Sequence, residues 1–243
     1  MTSGSRTRAS SVIDVPTPEA FLGEVYFGLA SRFRHVYRYS TVPLLRRENT
    51  AEHSWYVTFY AWAMAKHLMR THPTLELDLL VLMERACFHD MEEAETGDMI
   101  RRVKYANPAM KIALDDVAQE AIEGMDSRLG AQGDLTRAWS NSKLGPEGVI
   151  VATVDILAAV PYLVTELTSG NRMVYPRMAE AAGYHRDLLA RAVDGTRDDT
   201  ATDLMWGRMI PYIQESLKVL RRQSRPIAID PVLEPAVREV AGT

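Results

Sequence analysis

Asp155 interrupts an otherwise apolar run, Val149-Ile-Val-Ala-Thr-Val-Asp-Ile-Leu-Ala-Ala-Val160. An isolated carboxylate in such surroundings would cost several kcal/mol, so it must be paired, protonated or metal-bound. A buried aspartate answered by an arginine or a helix N-terminus is an equally open reading of that residue alone. His89 and Asp90 close a second apolar stretch that starts at Leu79. An imidazole beside a carboxylate makes half of a mixed nitrogen and oxygen site for a borderline cation. His53 stands in the first turn of a third apolar segment, where a lone histidine is more often a surface or capping residue. Together, His53, His89, Asp90 and Asp155 come from three helices of one bundle, and such helices can converge ligands on one core site. Four ligands of this kind leave coordination positions for water and a phosphate oxygen, which a catalytic metal requires. His67 lies about 21 Å farther along its helix at 1.5 Å per residue, so it cannot join the same ion.

Glu93 follows Asp90 by three residues and His89 by four. On a continuing helix it would share their face, and its carboxylate could orient an attacking water or move its proton. Glu92 and Glu95 read as a solvated acidic run. Phosphate needs positive partners, and Arg38, Arg46, Arg47, Arg101, Arg102 and Lys104 all lie in loops flanking the proposed ligands. One of these should be a clamp, because the guanidinium fork fits phosphate oxygens, but spacing does not choose among them. Cys87 reads as a core-packing residue. No glycine-rich phosphate loop occurs, and Ser54 beside His53 is not a nucleophile arrangement, so the chemistry is metal-assisted hydrolysis without a covalent intermediate.

The elements that must position these residues are helices almost throughout. Apolar spacing predicts helices at about Pro18–Arg34, Thr50–Arg70, Leu75–Ala94, Pro108–Leu129, Glu147–Ser169, Val174–Val193 and Thr202–Arg222. Asn49 and Glu52 form a capping-box pattern at the second of these, and Gly97 suits a turn with positive φ beyond the third. Residues Gly130 to Pro146 read as a loop. No strand alternation and no repeat are found, so the fold class is all-α, a helical bundle with a metal site in its core. Residues 1–16, rich in Ser, Thr and Arg, read as a mobile segment, 17–223 as the catalytic body with a helical C-terminal extension, and 224–243 as an irregular tail.

Composition narrows the function classes. The chain has 243 residues, 47% of them hydrophobic and 25% charged, with a formal net charge of -4. That allows one substantial domain and offers no global basic field for a nucleic-acid polymer. A single cysteine excludes an intrachain disulfide and fits a reducing cytoplasm. No signal-peptide pattern is present. The run Val149–Val164 is shorter than a bilayer span of roughly 20 residues, which predicts a buried core helix and no membrane association.

Two stretches carry a resemblance. They are Arg47-Glu-Asn-Thr-Ala-Glu-His-Ser54 and Phe88-His-Asp-Met-Glu-Glu-Ala-Glu-Thr-Gly-Asp98, joined later by Asp155, Thr165-Glu166-Leu167 and Gly170-Asn171. The chain resembles the YfbR-like 5'-deoxyribonucleotidases of the HD superfamily over about residues 29–171. The resemblance implies a helical fold, a homodimer, and hydrolysis of deoxynucleoside 5'-monophosphates to nucleoside and phosphate. It implies metal ligation by His53, His89, Asp90 and Asp155, with Co, Mn, Fe, Ni, Zn or Mg as the divalent ion. It further implies Glu93 as the catalytic acid, Asp98 as a second acidic active-site residue, Arg38 as the phosphate-binding arginine and Lys104 as a substrate contact. Departures are also visible. Tyr39 stands where the family has Trp near the sugar, and a phenol is smaller with a polar handle. Met99-Ile-Arg-Arg102 replaces a Pro-rich link, and the chain runs on past Asn171 into an extension suited to a lid or a dimer contact.

The leading expectation is therefore a 5'-nucleotidase acting on a small nucleotide. The enzymatic runner-up is a deoxynucleoside triphosphate hydrolase of the same superfamily, for which Arg101 and Arg102 are the sequence hint. A nucleotide-binding module without turnover is the reading from another class, and an intact Glu93 argues against it.

Overall fold

The computed structural model describes residues 15–99, 101–104, 107–194 and 199–224, without the side chains of Arg101, Arg102 and Ser224. Among these residues the chain forms helices α1 (Pro18–Phe27), α2 (Leu29–Arg32), a 3-10 turn (Phe33–His35), α3 (Thr50–Thr71), α4 (Leu79–Phe88), α5 (Glu93–Thr96), α6 (Arg101–Lys104), α7 (Pro108–Leu129), α8 (Asp134–Ser140), α9 (Gly145–Thr168), a second 3-10 turn (Arg172–Val174), α10 (Tyr175–Asp194) and α11 (Thr200–Ser224). No β-strand is present among them, in keeping with the all-α expectation; one isolated bridge pairs Tyr37 with Asn49. The expectations for a mobile start and an irregular tail fall on residues almost wholly outside the described ones.

Helix α9 organises the bundle by packing against α3, α4, α10 and α11. Val57, Ala61, Leu82, Ile150, Val154, Met209 and Ile213 interlock there without solvent exposure. Helices α3 and α9 pack against each other and bring His53 within 3.1 Å of Asp155. At 24 residues α9 is longer than its central apolar run suggests. It is the one described helix long and apolar enough to cross a membrane, yet most of it is buried inside the protein.

Four sequence expectations need correction. The first predicted helix breaks at Gly28, whose backbone is extended and where a Cβ would lie 2.2 Å from the Glu24 carboxylate; Phe21 and Val25 are exposed, while Leu29 and Phe33 are buried. The predicted helix to Ala94 ends at Phe88 and resumes at Glu93. The stretch Gly130–Pro146 contains α8, because its glycines sit at helix ends, with Gly130 capping α7 at φ 67° and Gly133 preceding α8 at φ 87°. Cys87 is exposed, not part of the core.

The Tyr37–Asn49 bridge closes the loop that carries Arg38 and Tyr39 against the start of α3. Arg38 N donates to Glu48 O at 3.0 Å, and Thr50 N donates to Val36 O at 2.9 Å. Glu166 of α9 pins the far side of that loop. Its buried carboxylate accepts from Leu45 N and Arg46 N, each at 2.8 Å, and from Asn171 Nδ2 at 2.6 Å. Asn171 also donates to Pro43 O at 2.9 Å. Replacing Glu166 with Ala is expected to cost about 3 kcal/mol in a urea titration, because bonds to a charged acceptor contribute about 1.5–3 kcal/mol each and the freed amides regain some water. A cost below about 1 kcal/mol would mean that other contacts hold the loop.

Candidate metal centre and its pocket

His53 is placed by a well-formed helix start. Glu52 N donates to Asn49 Oδ1 at 2.9 Å and Asn49 N donates to Glu52 Oε2 at 3.2 Å, the reciprocal capping box. The next residue, His53, then points inward and is fully buried, which overturns the surface reading a histidine at a helix start would normally receive. His89 ends α4, and the chain turns at once, with Met91 N donating to Phe88 O and Glu93 N to Asp90 O at 3.0 Å. That turn is needed because adjacent helical side chains diverge by about 100°. Leaving the helix lets His89 and Asp90 face the same point.

The four side chains meet. Asp155 Oδ1 lies 3.1 Å from His53 Nε2 and 3.6 Å from His89 Nε2, while Asp90 Oδ2 lies 3.0 Å from His89 Nε2 and 3.9 Å from His53 Nε2. One ligand atom from each falls within 4.8 Å of all the others. Donors about 2.1 Å from one ion stand roughly 3–4 Å apart, so the spacing suits a single metal.

The protonation pattern tests whether a cation belongs there. His89 Nδ1 is 2.9 Å from the Ala86 carbonyl, so Nδ1 holds the proton and donates it. Its buried Nε2 has no hydrogen-bond partner and lies between two carboxylates, an arrangement that positive charge at that nitrogen, from a proton or a metal ion, relieves. Burial lowers the His89 pKa, but Asp90 and Asp155 outweigh burial and raise it to about 10, the mark of a cluster short of positive charge. A backbone carbonyl behind the ring is also the usual support of a ligating histidine. Burial, then the Arg38 charge, lowers His53 to about 4, which keeps that imidazole neutral as a ligand must be. The residues present therefore fit a divalent metal ion.

Lys143, which no sequence signal singled out, places Nζ 2.8 Å from Asp155 Oδ2. It holds the outer carboxylate oxygen and leaves Oδ1 turned to the histidines. Burial opposes ionisation of Asp155, but Lys143 and the two histidines outweigh it and hold the carboxyl well below its ordinary range.

Arg38 comes to the centre from the bridged loop, with NH1 3.7 Å from Asp90 Oδ2 and Nε 3.6 Å from the buried Glu48 carboxylate. Tyr39 follows with a left-handed φ of 55°, uncommon for a residue with a side chain. Asp98 secures that backbone by accepting from Tyr39 N at 2.8 Å. The Tyr39 ring stacks on Tyr162, centroids 5.8 Å apart. Glu93 Oε2 accepts from Thr50 Oγ1 at 3.0 Å. Burial and then the Asp90 charge push its carboxyl well above the ordinary range. A cavity of about 190 Å³ is lined by Arg38, Tyr39, Asp90, Glu93, Asp98 and Asp155 together.

Not every expected residue arrives there. Lys104 lies 3.8 Å from Glu92 and borders a separate small cavity. Glu92 is buried, not solvated, and accepts from Trp139 Nε1 at 2.7 Å. Glu95 pairs with Arg32 at the surface. Arg46 is mostly exposed near Glu52, and Arg47 lies over the Tyr37 ring. The far wall of the cavity comes from Arg177, Glu180 and Tyr184 of α10, in the extension for which the sequence suggested only a lid or a contact.

Comparison with known proteins agrees with this arrangement. A family model described as 5'-deoxynucleotidase YfbR-like matches residues 25–188. A 5'-deoxynucleotidase of Yersinia pestis is 32% identical over 154 residues, covering 60% of this chain and 75% of its own. The 5'-deoxynucleotidase PM0747 of Pasteurella multocida is 29% identical over 153 residues, covering 60% and 76% respectively. In fold, an HD-domain phosphohydrolase from Listeria innocua superposes with a TM-score of 0.57 at 20% identity over 82% of this chain and 98% of that one. PH0347 of Pyrococcus horikoshii gives a TM-score of 0.53 at 15% identity, over 82% of this chain and 99% of its own. With two buried histidines and two partly buried aspartates brought together and a family match running through all four of them, the chain belongs to the YfbR-like 5'-deoxynucleotidase family.

Proposed function

We propose that this protein hydrolyses (deoxy)nucleoside 5'-monophosphates to nucleoside and phosphate, with one divalent metal ion held by His53, His89, Asp90 and Asp155. The observation that carries the reading is the convergence of these four side chains on a cavity that also presents Arg38 and Glu93. Relatives named as 5'-deoxynucleotidases at about 30% identity support the same reaction class. When bound, the ion supplies Lewis-acid polarisation of a phosphoryl oxygen and a lower pKa for water.

The protein groups have separate tasks in this reaction. Arg38, held by Glu48 on one side and drawn toward Asp90 on the other, neutralises charge that builds on the phosphoryl oxygens. Glu93 orients the attacking water. Its carboxylate, whose proton affinity burial and Asp90 raise, takes the proton of that water as the water oxygen bonds to phosphorus and hands it to the 5'-oxygen as the bond from phosphorus to that oxygen breaks. Asp98 fixes the turn that carries Tyr39 toward the sugar end.

Triphosphate hydrolysis rests on Arg101 and Arg102, whose side chains lie outside the described residues. A cytoplasmic homodimer completes the reading, and α3 offers a surface for it in the exposed, mutually stacked Trp55, Phe59 and Trp62. The test is phosphate release from ribo- and deoxynucleoside mono- and triphosphates, with Co²⁺ or Mn²⁺ restored after chelation. Metal-dependent release from monophosphates, strongest for deoxynucleotides, is expected. Release confined to triphosphates would overturn the proposal.

A further inference from the structure

Helix α10 places Arg177, Glu180, Ala181 and Tyr184 at helical spacing on one face, and that face forms a wall of the cavity whose other end holds Asp90 and Asp155. On α9, Ile156 and Ala159 line the same cavity, and Ala159 is one turn, about 6 Å, beyond Asp155. Ala159 and Ala181, both small, join the quartet's carboxylates and the polar residues of α10 in lining one continuous cavity.

The polar end of this wall is built rather than incidental. Arg177 NH1 donates to Glu180 Oε2 at 2.6 Å and its NH2 donates to Thr41 Oγ1 at 2.8 Å. Its Nε is buried without a hydrogen-bond partner. The guanidinium thus ties α10 to the loop that carries Arg38 and Tyr39, and it fixes one oxygen of Glu180. Glu180 lines the cavity with its side chain half exposed, and Arg177 holds it at that wall. A carboxylate only accepts hydrogen bonds, so it selects ligand groups that donate. The phosphate cannot donate; the nucleoside can, through a base N–H or a sugar hydroxyl.

We infer that Glu180, positioned by Arg177, is the selectivity residue of this pocket, accepting a hydrogen bond from a donor on the nucleoside half of the substrate. The inference rests on the nucleotidase reading above. It assigns specificity to the C-terminal helix, while the metal quartet and Arg38 handle the phosphate that every substrate shares. Because the Glu180 carboxylate is half exposed and water can answer it when the donor is absent, the discrimination it provides is about one hydrogen bond's worth, roughly tenfold.

The experiment measures kcat and KM of wild-type protein, Glu180→Gln and Glu180→Ala on the four deoxynucleoside monophosphates, their ribo counterparts and 2',3'-dideoxy analogues. Binding of free deoxynucleosides to chelated protein is titrated alongside. Glu180 is a partly exposed surface position, so both variants should fold. Expected for Glu180→Ala is a KM increase of about tenfold for substrates bearing the recognised donor, with kcat within about twofold and inhibition by inorganic phosphate unchanged. Weaker nucleoside binding in the chelated variant should parallel the KM change. A penalty that varies with the base identifies a base N–H; a uniform penalty that vanishes on the dideoxy analogues identifies the sugar hydroxyl. Unchanged KM on every nucleotide overturns the assignment, as does an equal loss of phosphate inhibition. Wild-type protein without turnover on any monophosphate overturns the nucleotidase reading itself, and this inference with it.

Discussion

An Asp155→Ala variant should fail to bind metal stoichiometrically, and its turnover should fall by roughly a thousandfold or more. Asp155 places one oxygen, Oδ1, 3.1 Å from His53 Nε2 and 3.6 Å from His89 Nε2. Removing it deletes one of the two charges that make the quartet attractive to a dication. Loss of a mere supporting group around a metal costs about 10–100-fold in affinity, and loss of a charged ligand should exceed that. The Lewis acid contributes several kcal/mol of transition-state stabilisation, and each 1.36 kcal/mol is tenfold in rate, which sets the expected fall.

Folding gives an independent readout of the same event. A ligand bound only by the native state at about 100 times its Kd adds about 2.7 kcal/mol to stability. Wild-type protein should therefore show a Tm that rises with Co²⁺ or Mn²⁺, and the variant should not. The comparison is made on the metal-dependent rise in Tm, because chelated Asp155→Ala also loses contacts to half-exposed Lys143 and to buried His53. Elemental analysis that finds one ion per chain in Asp155→Ala would remove Asp155 from the ligand set.

Glu93→Ala separates chemistry from metal binding. General acid–base groups contribute about 10²–10⁴-fold, and kcat should drop by that range with one metal ion still bound per chain. The substitution should spare the fold, because Thr50 Oγ1, which donates to Glu93 at 3.0 Å, has a second acceptor in Val36 O at 3.3 Å. Full activity in this variant would move the proton-handling role to another group in the cavity, with Asp98 the first to examine. If wild type and variant both bind metal and nucleotide and neither turns over, the protein is a binding module.

The ligand types and the helices that bear them were legible without a structure. Asp155 stood out because a carboxylate in an apolar helix demands a partner, and the Asn49–Glu52 pattern announced the start of α3 through purely local hydrogen bonds. Gly97 was readable for the same reason, since a φ of 75° at a helix end favours glycine. Local chemistry was less decisive where packing competes with it. The apolar run into His89 suggested one helix to Ala94, yet the chain leaves the helix after Phe88 so that His89 and Asp90 can both face the quartet. Glu92 looked like part of a solvated acidic run until Trp139 of α8, itself hidden between glycines, proved to donate to it.

By itself, then, the amino-acid sequence determined the all-helical class, the candidate metal-ligating residues that the fold brings together and, through the resemblance, Arg38 as the candidate phosphate partner. Those features depend on interactions within one helix turn or on motifs kept in register. Only the tertiary structure decided that Lys143 holds Asp155, that Lys104 stays outside the main cavity, and that Arg177, Glu180 and Tyr184 close it. These residues act across gaps between separate helices, and no spacing along the chain encodes which side chain meets which when α9 and α10 pack.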